Sequence, residues 1–324
     1  MPRFGRVKFS ADFVALGWCI VTLEVLLPNE HAAEQLGQLL DLRCHVYDGT
    51  GEVPEDARDS TVWVPAFLAS LDVGEVIAQL PKLAVIQLVS AGAERFVEHV
   101  PDGVVLCNAR GAHSGATAEW VVAAMLASIR QFPRYFAAQA SGEWASPWND
   151  ELAGRRILVV GTGDIGRAVG RRLDGFDVDV TYVARSAREG VSPVSELPDL
   201  LPQHEIVVLL VPTTPETRGM VDAGFLAAMP DGALLVNAAR GPVVDTDALL
   251  AELTSRRIWA ALDVTDPEPL PDGHPLWSAP NLLLTPHTAG SVPRAGVRAL
   301  AVVRAQLERL LAGQPLQNVV SGAY

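Results

Sequence analysis

The segment 155–173 limits the possible folds of this chain more than any other stretch. It reads RRILVVGTGDIGRAVGRRL, which is a run of β-branched residues, a Gly-x-Gly-x-x-Gly turn and a helical pattern. Gly161 permits a tight turn, Gly163 lets the backbone approach a pyrophosphate, and Gly166 lets the helix pack close to the strand. The helix N-terminus adds partial positive charge toward phosphates. The motif in this context predicts a dinucleotide-binding unit; a glycine-rich turn without a ligand and a methyltransferase-type loop are the alternatives.

Short runs of β-branched residues alternate with helical patterns along the rest of the chain. Candidate strands are 21–27, 43–47, 61–64, 84–89, 103–107, 156–160, 178–184, 205–210, 232–237, 258–263 and 281–284. This alternation predicts an α/β fold of parallel sheets covered by helices on both faces. Two long helical patterns, from about 117 to 140 and from about 293 to 312, mark the places where the chain crosses between two domains. Residues 115–287 are therefore expected to form a domain inserted into one made of the two chain ends.

The composition excludes several classes of protein. A net charge of −13 argues against general affinity for nucleic acid or an anionic membrane, because both are polyanions. Hydrophobic residues make up 49% of the chain, which excludes a disordered protein. Cys19, Cys44 and Cys107 are too few and too scattered for a disulfide framework or a zinc site, so we expect no metal and a cytoplasmic location. The apolar run 13–27 resembles a signal peptide, but Glu24 interrupts it and no cleavage site follows; residues 1–19 are expected to be a poorly ordered leader.

The strand after the glycine motif ends without the acidic residue that binds the ribose 2′-hydroxyl of NAD. The position expected for that acid is Ala184, and Arg185, Ser186 and Arg188 follow it. Guanidinium groups bind a 2′-phosphate through forked, charge-assisted hydrogen bonds. The sequence therefore predicts NADP as the cofactor. The alternative is that these arginines lie in a solvated loop and that the protein also uses NAD.

Three late segments each place a chemically useful residue after a predicted strand. Arg240 lies in NAARGPVVDTDAL, Glu268 in ALDVTDPEPL and His287 in NLLLTPHTAGS. Ligands of parallel sheets bind at the carboxyl ends of the strands, so the three side chains are expected to converge. Arginine grips a carboxylate, histidine moves a proton near neutral pH, and glutamate holds an imidazole in one tautomer. Taken singly, they could also be a helix-start ion pair, a surface acid and a turn histidine.

Together these motifs resemble the D-isomer-specific 2-hydroxyacid dehydrogenase family. The resemblance extends from about residue 21 to 320 and rests on GTGDIG at 161–166, VPTTPETRGM at 211–220, NAARGPVVDTDAL at 237–249, LDVTDPEP at 262–269 and TPHTAG at 285–290. It implies an NAD(P)-binding Rossmann domain at 115–287, inserted into a flavodoxin-like substrate domain at 20–114 plus 288–324. It also implies that Arg240, Glu268 and His287 are the catalytic residues, and that the protein is a homodimer with the long helix after residue 114 in the contact.

The resemblance further implies which residues bind the ligands. The loop SAGAE at 90–94 corresponds to the loop whose backbone amides hold the substrate carboxylate. Substrate-binding residues are then Ser90, Ala91, Gly92 and Arg240. The expected cofactor-binding residues are Gly161, Thr162, Gly163, Asp164, Ile165, Gly166, Arg185, Ser186, Arg188, Pro212, Thr213, Thr217, Ala238, Asp263 and Gly290, with Asp263 near the nicotinamide carboxamide.

Three features distinguish this chain within the family. With Ala184 in place of the acid, the chain resembles the members of the family called glyoxylate or hydroxypyruvate reductases, which use NADP. The stretch that the family writes as Asn-x-Pro-Gly-Asn reads NARGAH at 108–113. Glu268 stands where formate dehydrogenases of this type have glutamine, which favours acid–base chemistry on a 2-keto or D-2-hydroxy acid. We therefore expect hydride transfer between NADPH and a small 2-keto acid; the alternative is a catalytically silent dinucleotide-sensing protein of the same fold.

Overall fold

The computed structural model describes residues 22–39, 41–67, 71–146 and 148–320. These residues form two compact units: one comprises the described residues up to Ala109 and those of 299–320, the other the described residues of Arg110–Arg298. The sequence predicted limits after residues 114 and 287, whereas the units divide after residues 109 and 298. The assignment of one unit to the substrate and the other to the cofactor stays a prediction. The leader expected at 1–19 lies outside the described residues.

The first unit is built on a five-stranded parallel sheet. Its strands are β1 (Leu23–Leu27), β2 (Leu42–Val46), β3 (Val62–Trp63), β4 (Val85–Gln87) and β5 (Val105–Cys107), in the order β2-β1-β3-β4-β5. This is the flavodoxin-like strand order. Its shorter helices are α1 (Glu30–Leu36), α2 (Val73–Ala78) and α3 (Glu94–Val97). Apolar side chains of β1, β3 and β4 pack with Leu36 of α1 and with Val303 and Leu307 near the chain end.

The second unit contains a seven-stranded parallel sheet. Its strands are β6 (Arg156–Val160), β7 (Asp179–Ala184), β8 (Ser192–Pro193), β9 (Ile206–Leu209), β10 (Leu234–Asn237), β11 (Trp259–Leu262) and β12 (Leu282–Leu284), in the order β12-β11-β10-β9-β6-β7-β8. Counted within the unit, the order 3-2-1-4-5-6 is that of a Rossmann fold with a seventh strand added. The order reverses between β6 and β9, which is where such sheets bind ligands.

Helices cover both faces of this sheet. They are α4 (Ser114–Ile129), α5 (Phe132–Ser141), α6 (Asp164–Leu173), α7 (Leu197–Leu200), α8 (Ala223–Ala228) and α9 (Thr246–Thr254); α10 (Pro293–Leu311) continues from this unit into the first. Ile157 and Val159 of β6 pack in one core with α4 and α6. Leu158 and Val160 pack in the other core with α8 and α9. Because both faces are buried, the strand is apolar from Ile157 to Val160 rather than alternating.

The predicted strands and the two parallel sheets are confirmed, with ends that differ by one or a few residues. The prediction of one helix over 117–140 was wrong. The structure ends α4 at Ile129, places Gln131 in the left-handed region at φ 53°, and starts α5 at Phe132. Pro133 in the first turn of α5 has no N–H to continue the ladder of the preceding helix. No helix among the described residues is long and apolar enough to cross a membrane.

Candidate active site

The candidate residues of the second unit follow the carboxyl ends of its strands. Gly161 follows β6, Arg240 comes three residues after β10, Asp263 follows β11, and His287 comes three residues after β12. Because all these strands are parallel, their carboxyl ends lie on one edge of the sheet. The sheet therefore gathers residues that are far apart in the chain.

The glycine loop has the geometry that a dinucleotide requires. Gly161 has a φ of 111°, and a Cβ there would lie 2.4 Å from the carbonyl oxygen of Leu210. A Cβ on Gly166 would lie 2.1 Å from the carbonyl oxygen of Gly161, whereas one on Gly163 would meet nothing within 4 Å. In the loop after β9, the buried Thr213 Oγ1 has no hydrogen-bond partner among the described residues. An unpaired buried hydroxyl and an open backbone at Gly163 fit a bound cofactor.

His287 and Glu268 form a hydrogen-bonded pair. Nδ1 of His287 lies 2.6 Å from Oε1 of Glu268, and the two side chains keep 32% and 40% of their surface exposed. Because a carboxylate only accepts, Nδ1–H donates and Nε2 is left for a ligand. This hydrogen bond is the main cause that lowers the pKa of Glu268, and the positive charge of Arg240 adds to it, while burial opposes it. The three predicted catalytic side chains therefore share one electrostatic environment.

The loop that carries His287 is held by Asp263. Oδ1 of this buried carboxylate accepts hydrogen bonds from Thr285 Oγ1 at 2.6 Å and Thr288 N at 2.8 Å, and Oδ2 accepts one from Ala289 N at 2.9 Å. The carbonyl oxygen of Asp263 accepts from His287 N at 2.7 Å. These bonds support the φ of 53° at His287, a left-handed conformation that is uncommon for a residue other than glycine. The predicted contact of Asp263 with nicotinamide stays a prediction.

Arg240 is held by a turn that was not predicted from the sequence. The buried Asn237 accepts from Ala239 N at 3.0 Å and donates to the carbonyl oxygen of Arg240 at 3.1 Å. Nη1 of Arg240 donates to the carbonyl oxygen of Ala239 at 2.7 Å. A Cβ on Gly241 would lie 1.8 Å from the carbonyl oxygen of Thr265, so the turn lies directly against the backbone that leads to Glu268.

The arginines predicted to select NADP lie beyond the end of β7. Ala184 is the last residue of that strand, as expected for the position that discriminates between the cofactors. Arg185, Ser186 and Arg188 are exposed in the loop that follows. Nη2 of Arg188 donates to Thr162 Oγ1 in the glycine loop. The predicted 2′-phosphate site and the glycine loop are thus joined by a direct contact.

Several other residues predicted to bind the cofactor contact neighbouring residues of the second unit. Oγ1 of Thr217 donates to the carbonyl oxygen of Pro212 at 2.6 Å and accepts from the backbone N–H of Thr214 at 2.8 Å, which closes the turn after β9. Ala238 is buried after β10, and Ile165 packs against the core beneath α6. Their roles toward the cofactor stay predictions.

Residues 108–113 make contacts that were not predicted from the sequence. Nδ1 of His113 donates to the carbonyl oxygen of Gly290, at 3.0 Å, in the loop that carries the candidate catalytic histidine. Asp164 in the glycine loop is bound by Arg110 and Arg167. The departure of this stretch from the family pattern was the sequence signal for these contacts. The partners themselves could not be predicted, because they lie 54 and 177 residues away.

The predicted substrate loop belongs to the first unit. Ala109 N donates to the carbonyl oxygen of Ser90 at 2.7 Å, and Nδ2 of Asn108 donates to that of Ala91 at 2.8 Å. Oγ of Ser90 donates to the carbonyl oxygen of Gly92 at 2.8 Å. The carbonyl groups of this loop are therefore bonded within the unit. Binding of a carboxylate by its amides stays a prediction. No group of three or more His, Cys, Asp or Glu in the described ranges could hold a metal ion.

Comparisons with known proteins identify the family. The sequence profile of the D-isomer specific 2-hydroxyacid dehydrogenase NAD binding domain matches residues 122–289. A glyoxylate reductase of Thermofilum pendens is 34% identical over 278 residues, which cover 81% of this chain and 82% of that protein. The chain spans about half the length of the D-3-phosphoglycerate dehydrogenases that it also matches.

Two solved structures share the fold over more than nine tenths of this chain. One is a D-isomer specific 2-hydroxyacid dehydrogenase of Xanthobacter autotrophicus Py2 in complex with NADPH and MES, with 32% identity, a TM-score of 0.78 and coverage of 93% of this chain and 98% of that one. The other is an NADPH-dependent glyoxylate/hydroxypyruvate reductase of Sinorhizobium meliloti in complex with NADP and malonate, with 26% identity, a TM-score of 0.79 and coverage of 92% and 97%. The chain therefore belongs to the D-isomer specific 2-hydroxyacid dehydrogenases, a family of oxidoreductases.

Proposed function

We propose that this chain reduces a small 2-keto acid to the D-2-hydroxy acid with NADPH, as a reductase of the glyoxylate/hydroxypyruvate type. The observation that carries the proposal is the 2.6 Å hydrogen bond between His287 and Glu268, within the field of Arg240, at the carboxyl edge of a Rossmann sheet. A proton donor, a carboxylate that orients it and a fixed positive charge are what reduction of a carbonyl group requires.

The relatives of similar length support a small keto acid as the substrate of this chain. The relative called glyoxylate reductase matches over more than four fifths of both chains. The D-3-phosphoglycerate dehydrogenases are about twice as long as the region that matches this chain. In the proposed complex, Arg240 binds the substrate carboxylate. A guanidinium is a strong, forked donor to that group.

The proton chemistry follows from the orientation of the imidazole. NADPH, when bound, supplies the hydride for the keto carbon. Because Nδ1–H of His287 is bonded to Glu268, Nε2 faces the ligand and donates the proton to the substrate oxygen. Arg240 stabilises the negative charge that develops on this oxygen. Glu268 holds the ring in place and stabilises the imidazolium form before the proton leaves.

We also propose a preference for NADPH over NADH. Ala184 ends β7 with no carboxylate to repel a 2′-phosphate, and two arginines follow in an exposed loop. Related structures have been solved with NADPH or NADP bound, which supports the assignment. An NAD-type site would instead place an acid at this strand end to bind the ribose hydroxyls.

A panel of keto acids tests the substrate and the cofactor together. Oxidation of NADPH and NADH is followed with glyoxylate, hydroxypyruvate, pyruvate and bulkier branched or aromatic keto acids. We expect turnover of the small acids and a higher kcat/KM with NADPH. Arg185→Ala combined with Arg188→Ala should reduce this preference about tenfold or more, since a charge-assisted hydrogen bond contributes about 1.5–3 kcal/mol.

The matched control for this double variant is Arg171→Ala, which removes an exposed arginine from the last turn of α6, at the far end of the helix from the glycine loop. It should leave the NADPH/NADH ratio unchanged. A preference of the wild-type protein for NADH would contradict the assignment of the arginines. Tight NADPH binding without turnover of any keto acid would instead favour the dinucleotide-sensing alternative.

We further propose that the enzyme is a homodimer in which a second copy covers an arm formed by α5 and the described residues of 142–150. Three aromatic side chains on this arm are largely exposed: Phe136 at 64%, Trp144 at 95% and Trp148 at 98%. Trp144 and Trp148 thus leave nearly all of their surface uncovered by the described residues. Large apolar side chains left exposed along one segment favour an interaction surface.

Light scattering of the purified protein tests the dimer. The wild-type protein should have the mass of two chains, and replacement of Trp144 and Trp148 by serine should shift the population toward one chain. The same replacement should leave the melting temperature of the monomer nearly unchanged, because neither side chain packs in a core. A wild-type protein with the mass of a single chain would contradict the proposal.

The cysteines support the proposed cytoplasmic location. Cys44 and Cys107 are free thiols in the structure, and burial raises the pKa of Cys107 to about 11. A buried thiol that stays protonated reacts slowly. Free thiols of this kind are retained in a reducing compartment.

A further inference from the structure

The glycine loop carries a negative charge at the place where it would receive a pyrophosphate. Asp164 directly follows Gly163 and is the first residue of α6. Its side chain keeps 31% of its surface exposed. The helix N-terminus stabilises anions there, but it cannot hold a carboxylate and a pyrophosphate side by side without repulsion between them. The loop therefore needs a counter-charge that the glycine motif does not contain.

Two arginines provide that charge. Nε of Arg110 donates to Oδ2 of Asp164 at 2.8 Å, and Nη2 of Arg167 donates to Oδ1 at 2.6 Å. The hydrogen bond from Arg110 is the largest cause that lowers the pKa of Asp164, and the charges of both arginines add to it. The carboxylate is therefore ionised, and the cluster of three side chains has a net charge of about +1. Arg167 also donates to the carbonyl oxygen of Thr162 at 3.0 Å.

The two arginines have different origins. Arg167 lies three residues after Asp164 on the same helix, so local spacing alone brings them together. Arg110 lies 54 residues earlier, in the stretch NARGAH, at the position where the family pattern has proline. The contact between this stretch and the glycine loop places the guanidinium of Arg110 on Oδ2 of the carboxylate.

We propose that Arg110 is a positioning residue for the dinucleotide, which binds Asp164 and cancels the repulsion between its carboxylate and the pyrophosphate. The inference rests on the proposed binding of NADPH at the glycine loop. Arg110 keeps 61% of its side-chain surface exposed, and exposed ion pairs contribute little to stability. Replacing it should therefore change cofactor affinity and leave the fold intact.

A double-mutant cycle on NADPH binding tests this role. The dissociation constant of NADPH is measured by fluorescence titration for the wild-type protein, Arg110→Ala, Asp164→Asn and the double variant. Arg110→Ala should raise Kd about tenfold or more, because the uncompensated carboxylate then repels the cofactor. Asp164→Asn in the Arg110→Ala background should restore most of the lost affinity, because no charge is left to neutralise.

Two further measurements separate this role from a structural one. The KM for NADPH of Arg110→Ala should rise more than its kcat falls, and its thermal unfolding midpoint should match that of the wild type. Arg171→Ala, at the opposite end of α6, should leave Kd unchanged. A general loss of structure would lower kcat and the unfolding midpoint together and would not be rescued by Asp164→Asn.

The outcomes distinguish this inference from the proposed function. If the wild-type protein does not bind NADPH, the proposed function fails and this inference fails with it. If the wild type binds NADPH and Arg110→Ala binds it equally well, only the role of Arg110 is wrong. If Arg110→Ala weakens binding by the same factor with and without Asp164→Asn, the arginine acts on the cofactor directly, which also overturns the inference.

Discussion

Replacing His287 with asparagine is expected to lower kcat by about 10²–10⁴-fold, the usual contribution of a general acid. Asparagine is the informative substitution for two structural reasons. Its amide can still donate to Glu268, the partner that the imidazole contacts at 2.6 Å. It also tolerates the left-handed backbone at this position, where φ is 53°. The variant therefore keeps the loop conformation and lacks the proton donor. Steady-state kinetics with NADPH and the best keto acid measure the fall in kcat.

The control for this variant is His31→Asn, which changes an exposed histidine on α1 of the first unit. It should have wild-type kcat. Both variants should retain the NADPH dissociation constant of the wild type. Turnover of His287→Asn at the wild-type rate would remove the histidine from the proposed mechanism.

The pH dependence of this pair has a defined direction. The hydrogen bond from His287 lowers the pKa of Glu268 below its ordinary value of about 4.3. A carboxylate with a depressed folded-state pKa stabilises the pair at all pH values above its unfolded pKa, and the contribution is lost as pH falls through the folded value. The carboxylate is therefore expected to hold the ring throughout the neutral range, so a fall in kcat between pH 8 and about pH 5 comes from other groups.

Gly241→Ala is expected to lower kcat/KM by about 10²-fold or more. The new Cβ would lie 1.8 Å from the carbonyl oxygen of Thr265 and 2.8 Å from the backbone nitrogen of Asp266. Both contacts are with backbone, so the turn that carries Arg240 and the segment that leads to Glu268 must separate. A displacement of about 1 Å at a catalytic group costs about 10² in rate. Overpacking of this kind also costs about 1–3 kcal/mol of stability.

Gly296→Ala is the matched control. This glycine lies in α10, and a Cβ there would meet nothing within 4 Å. Its replacement should stabilise the helix by about 0.5–1 kcal/mol and leave kcat/KM unchanged. Thermal unfolding and steady-state kinetics of both variants check the comparison. Wild-type activity in Gly241→Ala would show that the close approach at Thr265 does not position the site.

Local patterns were sufficient to predict much of the molecule. Runs of β-branched residues separated by helical patterns predicted both parallel sheets, because buried parallel strands must be apolar on both faces. The glycine spacing predicted the turn at Gly161 and the close approach at Gly166, since a side chain at either position would overlap the backbone. These features depend on residues a few positions apart, and a short window of sequence contains them.

Contacts between distant residues could not be predicted in the same way. The break at Gln131 was missed because helical spacing of apolar residues continues across it. The bonds of the Asp263 carboxylate to a loop 22 to 26 residues later were not predicted. The pairing of Arg110 with Asp164 spans 54 residues. Residue types and their order along the chain were enough to predict the family, the sheets and the candidate catalytic residues. Only the packed sheet decides which distant side chains meet, because strand order, rather than distance along the chain, sets which strand ends are neighbours.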